Sequence, residues 1–254
     1  MTRRADALAS WLFERLDVNS TPPIDLAHLA RSMGVDRITE QDMAEEGRLE
    51  QDGKSAEIFL RRGQNVRRRR FTLAHELAHR AIVHNKSPLV AYRRAVDHDG
   101  EERLCDEIAA AILMPEWWMA GLRPRPNNLS TLRFISAKAD VSLSAALVRQ
   151  REVNYWQQSL LRFKLDEGRW RLQGASGIPA AWHRSVRSAP ATHSLLENLH
   201  TRCDTNCDLP LIIGAHELTV AAQVDRSKWT ALALVELDEQ LSLLSPNLAN
   251  RDKG

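Results

Sequence analysis

FTLAHELAH, Phe71 to His79, places two histidines four residues apart, with a glutamate directly after the first. On a helix, residues i and i+4 lie one turn apart on the same face. His75 and His79 can therefore each turn a ring nitrogen toward one ion, with Glu76 beside it. Zinc accepts imidazole nitrogen, and a catalytic zinc site takes three protein donors and keeps one position open. Val66 to Val83 reads as a helix, so the motif has the backbone it needs. A third donor, an oxygen, is expected from the next helix, Glu101 to Met114, which offers Glu101, Glu102, Asp106 and Glu107. Glu102 and Asp106 are i and i+4. One is expected to hold the metal while the other accepts a hydrogen bond from a ligand histidine. Glu101 and Glu107 fall elsewhere and are expected in solvent, because Leu104, Ile108 and Ile112 must face the core.

A near copy of the motif, GAHELTV at Gly214 to Val220, has Val220 where a second histidine would stand. Its Thr and Val residues favour a strand, and it is read as a coincidence without a metal role. The bulk numbers are those of an ordinary globular chain. Of 254 residues, 43% are hydrophobic and 27% charged, and the formal net charge is +2. Binding to nucleic acid would thus need a local basic patch. Three cysteines are too few for a secreted disulfide framework. There is no apolar leader and no long apolar run. A cytoplasmic setting without membrane contact is expected.

Along the chain, Ala5 to Leu16 and Ile24 to Met33 read as helices, the second closed by Gly34. Arg48 to Glu50 and Ala56 to Leu60 read as two short strands around Gln51-Asp-Gly53, and Asn85 to Gly100 as an irregular segment. Pro115 stops the helix begun at Glu101, and Pro124 to Asn128 is a break. Leu129 to Gln157 reads as helix, short turn at Asp140-Val-Ser142, and helix, a helix-turn-helix-like pattern. After Ser159 come short strand-like runs at 160–165, 170–172, 211–213, 218–224 and 230–237. The expectation is an α+β protein with a metallopeptidase domain at 1–125, a helix-turn-helix-like segment at 126–158 and a smaller α+β domain at 159–254.

The pair RRFTLAHELAH and ERLCDEIAAAILMP resembles the ImmA/IrrE family of zinc metallopeptidases over roughly residues 20 to 150. The resemblance implies a zincin-like, gluzincin-type fold. It puts Glu102 on the family's metal glutamate and Asp106 on its Asn or Asp, with Ile108-Ala-Ala110 and Leu113-Met-Pro115 matching FAA and LMP. The implied set is His75, His79 and Glu102 on zinc, with manganese as the alternative ion, Glu76 as general base and Asp106 behind a ligand. Ala78 and Cys105 depart from the usual Gly and Ala. Cys105, three residues after Glu102, is weighed as an inhibitory thiolate for the open zinc position against a small buried apolar residue. Tyr92 and His98 are weighed as oxyanion donors against ordinary loop residues, and His84 as a helix-end partner.

The layout is similar to the IrrE and CapP type, whose last domain resembles a GAF sensor. That similarity implies a cytoplasmic protease that cleaves a helix-turn-helix repressor to induce a stress, DNA-damage or anti-phage defence operon, with single-stranded DNA as a signal. Arg61, Arg62 and Arg67, Arg68, Arg69 and Arg70 form a basic cluster for nucleic acid or substrate, opposed only by the reading as a solvated helix start. Arg184, Arg187 and Arg202 add charge later, with Trp170, Trp182 and His183 offered for stacking. Cys203, Cys207 and His200 lack metal spacing and are read as a solvated loop. The alternatives are a DNA-binding transcription regulator working through Leu132 to Arg149, or a non-proteolytic sensor, with zinc only structural.

Overall fold

A computed structural model describes residues 2–16, 21–52, 55–83, 97–178, 186–200, 205–213 and 216–235. His84, Tyr92, Trp182, His183, Arg184, Arg202 and Cys203 lie outside these residues. The chain divides into two compact units, residues 1–124 with 134–154, and residues 125–133 with 155–254.

The first unit begins with α1 (Thr2–Arg15) and α2 (Leu26–Ser32). Asp25 caps α2 by accepting from the His28 N–H, and Gly34 turns the chain out at φ 75°. A three-stranded sheet follows: β1 (Arg37–Gln41), β2 (Gly47–Asp52) and β3 (Ser55–Arg61), in the order β1-β3-β2. β1 runs parallel to β3 and β2 antiparallel to it, so β2 forms one edge. Ala56, Ile58 and Leu60 alternate along β3 into the core.

α3 (Val66–Ile82) carries the HELAH motif, and Asn65 caps it by accepting from the Arg68 N–H at 2.9 Å. Four arginines in its opening turns oppose the helix dipole. Acidic partners offset them. Arg67 pairs with Asp140, Arg68 with Glu46 and Arg69 with Glu40, while Arg70 donates to the Ile24 carbonyl. Arg61 and Arg62 pair with Glu46 and Asp42. The cluster expected to meet nucleic acid is thus engaged within the chain, in a clasp that ties the start of α3 to its own unit.

α4 (His98–Leu113) starts earlier than the sequence suggests, because Asp97 accepts from the Gly100 N–H at 2.8 Å and caps it. Leu104, Ile108, Ala111 and Ile112 form its buried stripe, and α1 packs against it. α5 (Glu116–Ala120), α6 (Leu129–Ala139) and α7 (Leu143–Asn154) follow, with Asp140 at φ 52° in the turn between the last two. The two helices match the helix-turn-helix pattern, yet their most prominent cation faces inward. Arg149 is fully buried, donates to the Met114 carbonyl and pairs with Asp6 and Glu152. Arg149 is therefore engaged within the fold and not offered to a partner.

The second unit holds a six-stranded antiparallel sheet in the order β5-β4-β9-β8-β7-β6. Its strands are β4 (Ser159–Asp166), β5 (Arg169–Ser176), β6 (Val186–Ser188), β7 (Thr205–Ile213), β8 (His216–Arg226) and β9 (Thr230–Val235), with α8 (Pro190–Asn198) after β6. One face carries the core of Leu161, Phe163, Trp170, Leu209, Val224 and Ala233. Trp170 is fully buried beneath the Arg226 guanidinium, 5.3 Å from its ring centre, so it does not serve as a stacking platform. His216 to Val220 of the GAHELTV copy form the start of β8, as its β-favouring residues suggest. His200 is exposed and Cys207 half-buried on β7. No helix among the described residues is long and apolar enough to cross a membrane.

Candidate metal centre

The helical pitch of α3 and the packing of α4 against it bring three donors together. His75 Nε2 and His79 Nε2 are 3.1 Å apart. Glu102 Oε2 lies 3.2 Å from the first and Oε1 3.3 Å from the second. Zinc bonds of about 2.0–2.1 Å in a tetrahedron require donors about 3.3 Å apart. The spacing and the N, N, O donor set therefore fit one such ion. No comparable group of three or more His, Cys, Asp or Glu occurs elsewhere among the described residues.

Two adjacent stripes of α4 serve the two histidines. Glu102 and Asp106, one turn apart, both reach His75: Glu102 faces Nε2, and Asp106 Oδ1 lies 2.8 Å from Nδ1. Glu101 and Cys105, also one turn apart, both reach the far side of His79, each 3.4 Å from Nδ1. Glu101 was expected in solvent, but its side chain is only 21% exposed and stands behind His79. The spacing to Cys105 was the signal for it. The idea of Cys105 as a thiolate in the open metal position does not follow from this geometry. Its buried sulfur meets the ring nitrogen turned away from the other donors, and burial, together with Glu101, Glu102, Asp106 and Glu76, pushes the thiol's pKa far up.

Glu76 is buried beside the donor set. Burial, with a contribution from Glu102, pushes its pKa up to about 7, while His75 and the Leu49 N–H, which donates to it, work the other way. For His75, burial opposes the charged form, but Asp106, Glu76 and Glu102 together raise its pKa; for His79, burial and the neighbouring His75 lower it.

β2 passes close over this carboxylate, and Gly47 makes the approach possible. A Cβ there would stand 2.5 Å from Thr72 Cγ2 and 2.6 Å from Glu76 Oε1. Neither Gly47 nor Leu49 announces itself in sequence. The centre opens into a cavity of about 660 Å³ that also takes in Arg48, Arg68, Phe71 and His98. Of the expected nucleic-acid or substrate contacts, Arg68 alone among Arg67–Arg70 lines it. His98 is exposed on the first turn of α4, 3.9 Å from Glu102. Glu107 does not face the centre; one of its carboxylate oxygens is buried without a hydrogen bond among the described residues.

Two helix-borne histidines, a glutamate from the facing helix and a buried carboxylate between them make up the arrangement of the HExxH metallopeptidase class. The family comparison agrees: residues 30–151 match the family model of the M78 peptidases, described as the IrrE N-terminal-like domain. No curated protein matches the chain in sequence. Among solved structures, a Mycobacterium tuberculosis transcriptional regulator shares the fold at a TM-score of 0.54 and 14% identity, over 91% of this chain and 74% of that one.

Proposed function

We propose that the chain is a zinc-dependent endopeptidase that cleaves a helix-turn-helix transcriptional repressor, and so induces a stress or defence operon. The observation that carries the enzymatic reading is the trio His75, His79 and Glu102 at tetrahedral spacing with Glu76 buried alongside. A structural zinc normally has four protein ligands, whereas this set has three and adjoins a carboxylate held at the cavity.

Zinc, when bound, supplies a Lewis acid for a peptide carbonyl and for water. Glu76 takes the proton of the attacking water and delivers it to the leaving amine, work for which a pKa near neutrality is suited. Asp106 holds the His75 ring by its Nδ1 and Glu101 holds that of His79. β2, at the edge of its sheet and bordering the cavity, offers backbone groups to an extended peptide. His98, which lines the cavity, serves in this reading as the donor to the developing oxyanion.

The regulatory part of the reading is supported by the IrrE-like domain and by the likeness in fold to a transcriptional regulator. The sheet of the second unit serves in this reading as a GAF-like sensor, with single-stranded DNA as its signal and the cytoplasm as its setting. The test is cleavage of the helix-turn-helix protein encoded beside this chain, by zinc-loaded wild type and Glu76→Gln, with and without single-stranded DNA. Cleavage by the wild type alone, and only with DNA, supports the whole reading. Cleavage without DNA removes the sensor. No cleavage by zinc-loaded wild type in either condition overturns the repressor-protease reading.

A further inference from the structure

Thr72 is buried on α3, one helical turn before Glu76 and on the same face. Both hydrogen-bonding roles of its hydroxyl are taken. It donates to the Arg68 carbonyl at 3.1 Å and accepts from Gln64 Nε2 at 3.3 Å. A helical threonine otherwise divides between two side-chain rotamers. Here the two bonds select one, and it sends the methyl toward Gly47 of β2. Gln64 stands just ahead of the Asn65 cap. Its Oε1 is buried without a hydrogen bond among the described residues. A buried acceptor left unpaired costs stability, so packing alone does not favour a glutamine here. The amide is engaged through Nε2, on Thr72.

The Thr72 methyl and the Glu76 carboxylate lie against the same residue. A Cβ on Gly47 would stand 2.5 Å from Thr72 Cγ2 and 2.6 Å from Glu76 Oε1. The Leu49 N–H, two residues along β2, donates to the same carboxylate. Glu76 is thus confined by the methyl of the preceding turn, by the Gly47 backbone and by a donor from the strand. A free glutamate side chain is rich in rotamers. A seat of this kind removes that freedom before substrate arrives. Proton transfer depends on such placement, because a small displacement of a catalytic group costs a large factor in rate.

We propose that Thr72 is a positioning residue for Glu76: locked by Gln64 and the Arg68 carbonyl, it packs its methyl against Gly47 and keeps the carboxylate in its seat beside the metal donors. The proposal rests on the peptidase reading, in which Glu76 is the general base. Thr72 supplies no proton and no metal donor. It acts through Glu76, with the methyl as the working group and the hydroxyl as its lock.

The test is cleavage of the helix-turn-helix protein encoded beside this chain, by zinc-loaded wild type and variants, with kcat and KM separated. Thr72→Ser keeps the hydroxyl and removes the methyl. It is expected to lower kcat about tenfold, with KM and zinc affinity close to those of the wild type. Thr72→Val, whose branched side chain is stiff without the lock, is expected to restore kcat to about a third of wild type or better. Gln64→Ala is expected to lower kcat about threefold beside Thr72 and to have no effect beside Thr72→Val, which needs no lock. A cycle of melting temperatures reads the same contact without turnover. Gly47→Ala alone lowers the melting temperature. Adding Thr72→Ser vacates the space that the new methyl at position 47 needs, and is expected to recover most of the loss. No cleavage by zinc-loaded wild type overturns the peptidase reading and this proposal with it. When the wild type cleaves, four results overturn the proposal alone: kcat unchanged in Thr72→Ser, a fall in kcat matched by loss of zinc, Thr72→Val as slow as Thr72→Ser, or melting losses that simply add.

Discussion

Asp106 Oδ1 stands 2.8 Å from His75 Nδ1, one helical turn beyond the glutamate that faces the other nitrogen of the same ring. One helix thus supplies both the donor beside His75 and the brace behind it. Removing the brace frees the ring to rotate and lets the wrong tautomer form. Asp106→Ala is expected to weaken zinc about 10- to 100-fold, the usual cost of losing such a partner. Competition with a chromophoric chelator measures it. An unchanged zinc affinity would show that the ring is held by packing alone.

Gly47→Ala probes how closely β2 must approach the site. The added methyl meets Thr72 and Glu76 at 2.5 and 2.6 Å, so strand or carboxylate has to move. Overpacking of this kind costs about 1–3 kcal/mol. The expected outcome is a modest drop in melting temperature with a loss of cleavage rate beyond tenfold, because one of the two groups in the way is the general base of the proposed reaction. Full activity in the variant would mean that Glu76 works from another position.

Arg149→Met tests the buried ion cluster. Without the guanidinium, Asp6 and Glu152 are left as neighbouring carboxylates with no cation between them. Breaking such a pair costs about 3–5 kcal/mol. Urea unfolding should record most of that loss, and the double variant Arg149→Met with Asp6→Leu should recover part of it. If the single variant is as stable as the wild type, the pair is not holding α1 to α7.

Glu107 gives a dependence on pH. Burial, with a contribution from Asp6, raises its pKa against the pull of Arg103. The protonated form is therefore the better fit in the folded state. Its stabilisation is full below the ordinary carboxylate pKa of 4.5 and is lost as pH rises through the higher folded value. Glu107→Gln should match the wild type in melting temperature at pH 4 and exceed it at pH 8. Parallel curves across that range would contradict the assignment.

Much of this was legible in the sequence because helical periodicity is a strong signal. The i, i+4 pairs His75 with His79 and Glu102 with Asp106 mark the centre, and the alternation in 56–60 and 218–224 marks β3 and β8. β1 escaped notice because RITEQ is largely solvent-facing and has no apolar stripe to betray it. β6, at Val186–Ser188, is too short to show a period, whereas Pro190 at the start of α8 is a usable sign of a helix. The ion pairs of the arginine run were hidden for a different reason. The partners Glu40, Glu46 and Asp140 are distant in the chain, and pairing of that kind appears only once the strands are laid beside the helix. Glu101 shows the limit of assigning faces by angle alone, since a long side chain on a first turn can reach the neighbouring stripe.

Because both stripes that serve the histidines belong to α4, the centre is sensitive to a single degree of freedom. Turning α4 about its axis by one residue, roughly 100°, would carry Glu102 and Asp106 away together and bring Arg103 toward the histidines. A much smaller turn would already spoil the spacing of about 3.2 Å among the three donors. Metal affinity is therefore a gauge of how α4 is seated. A substitution that reseated α4 would be expected to change zinc affinity without touching the histidines themselves.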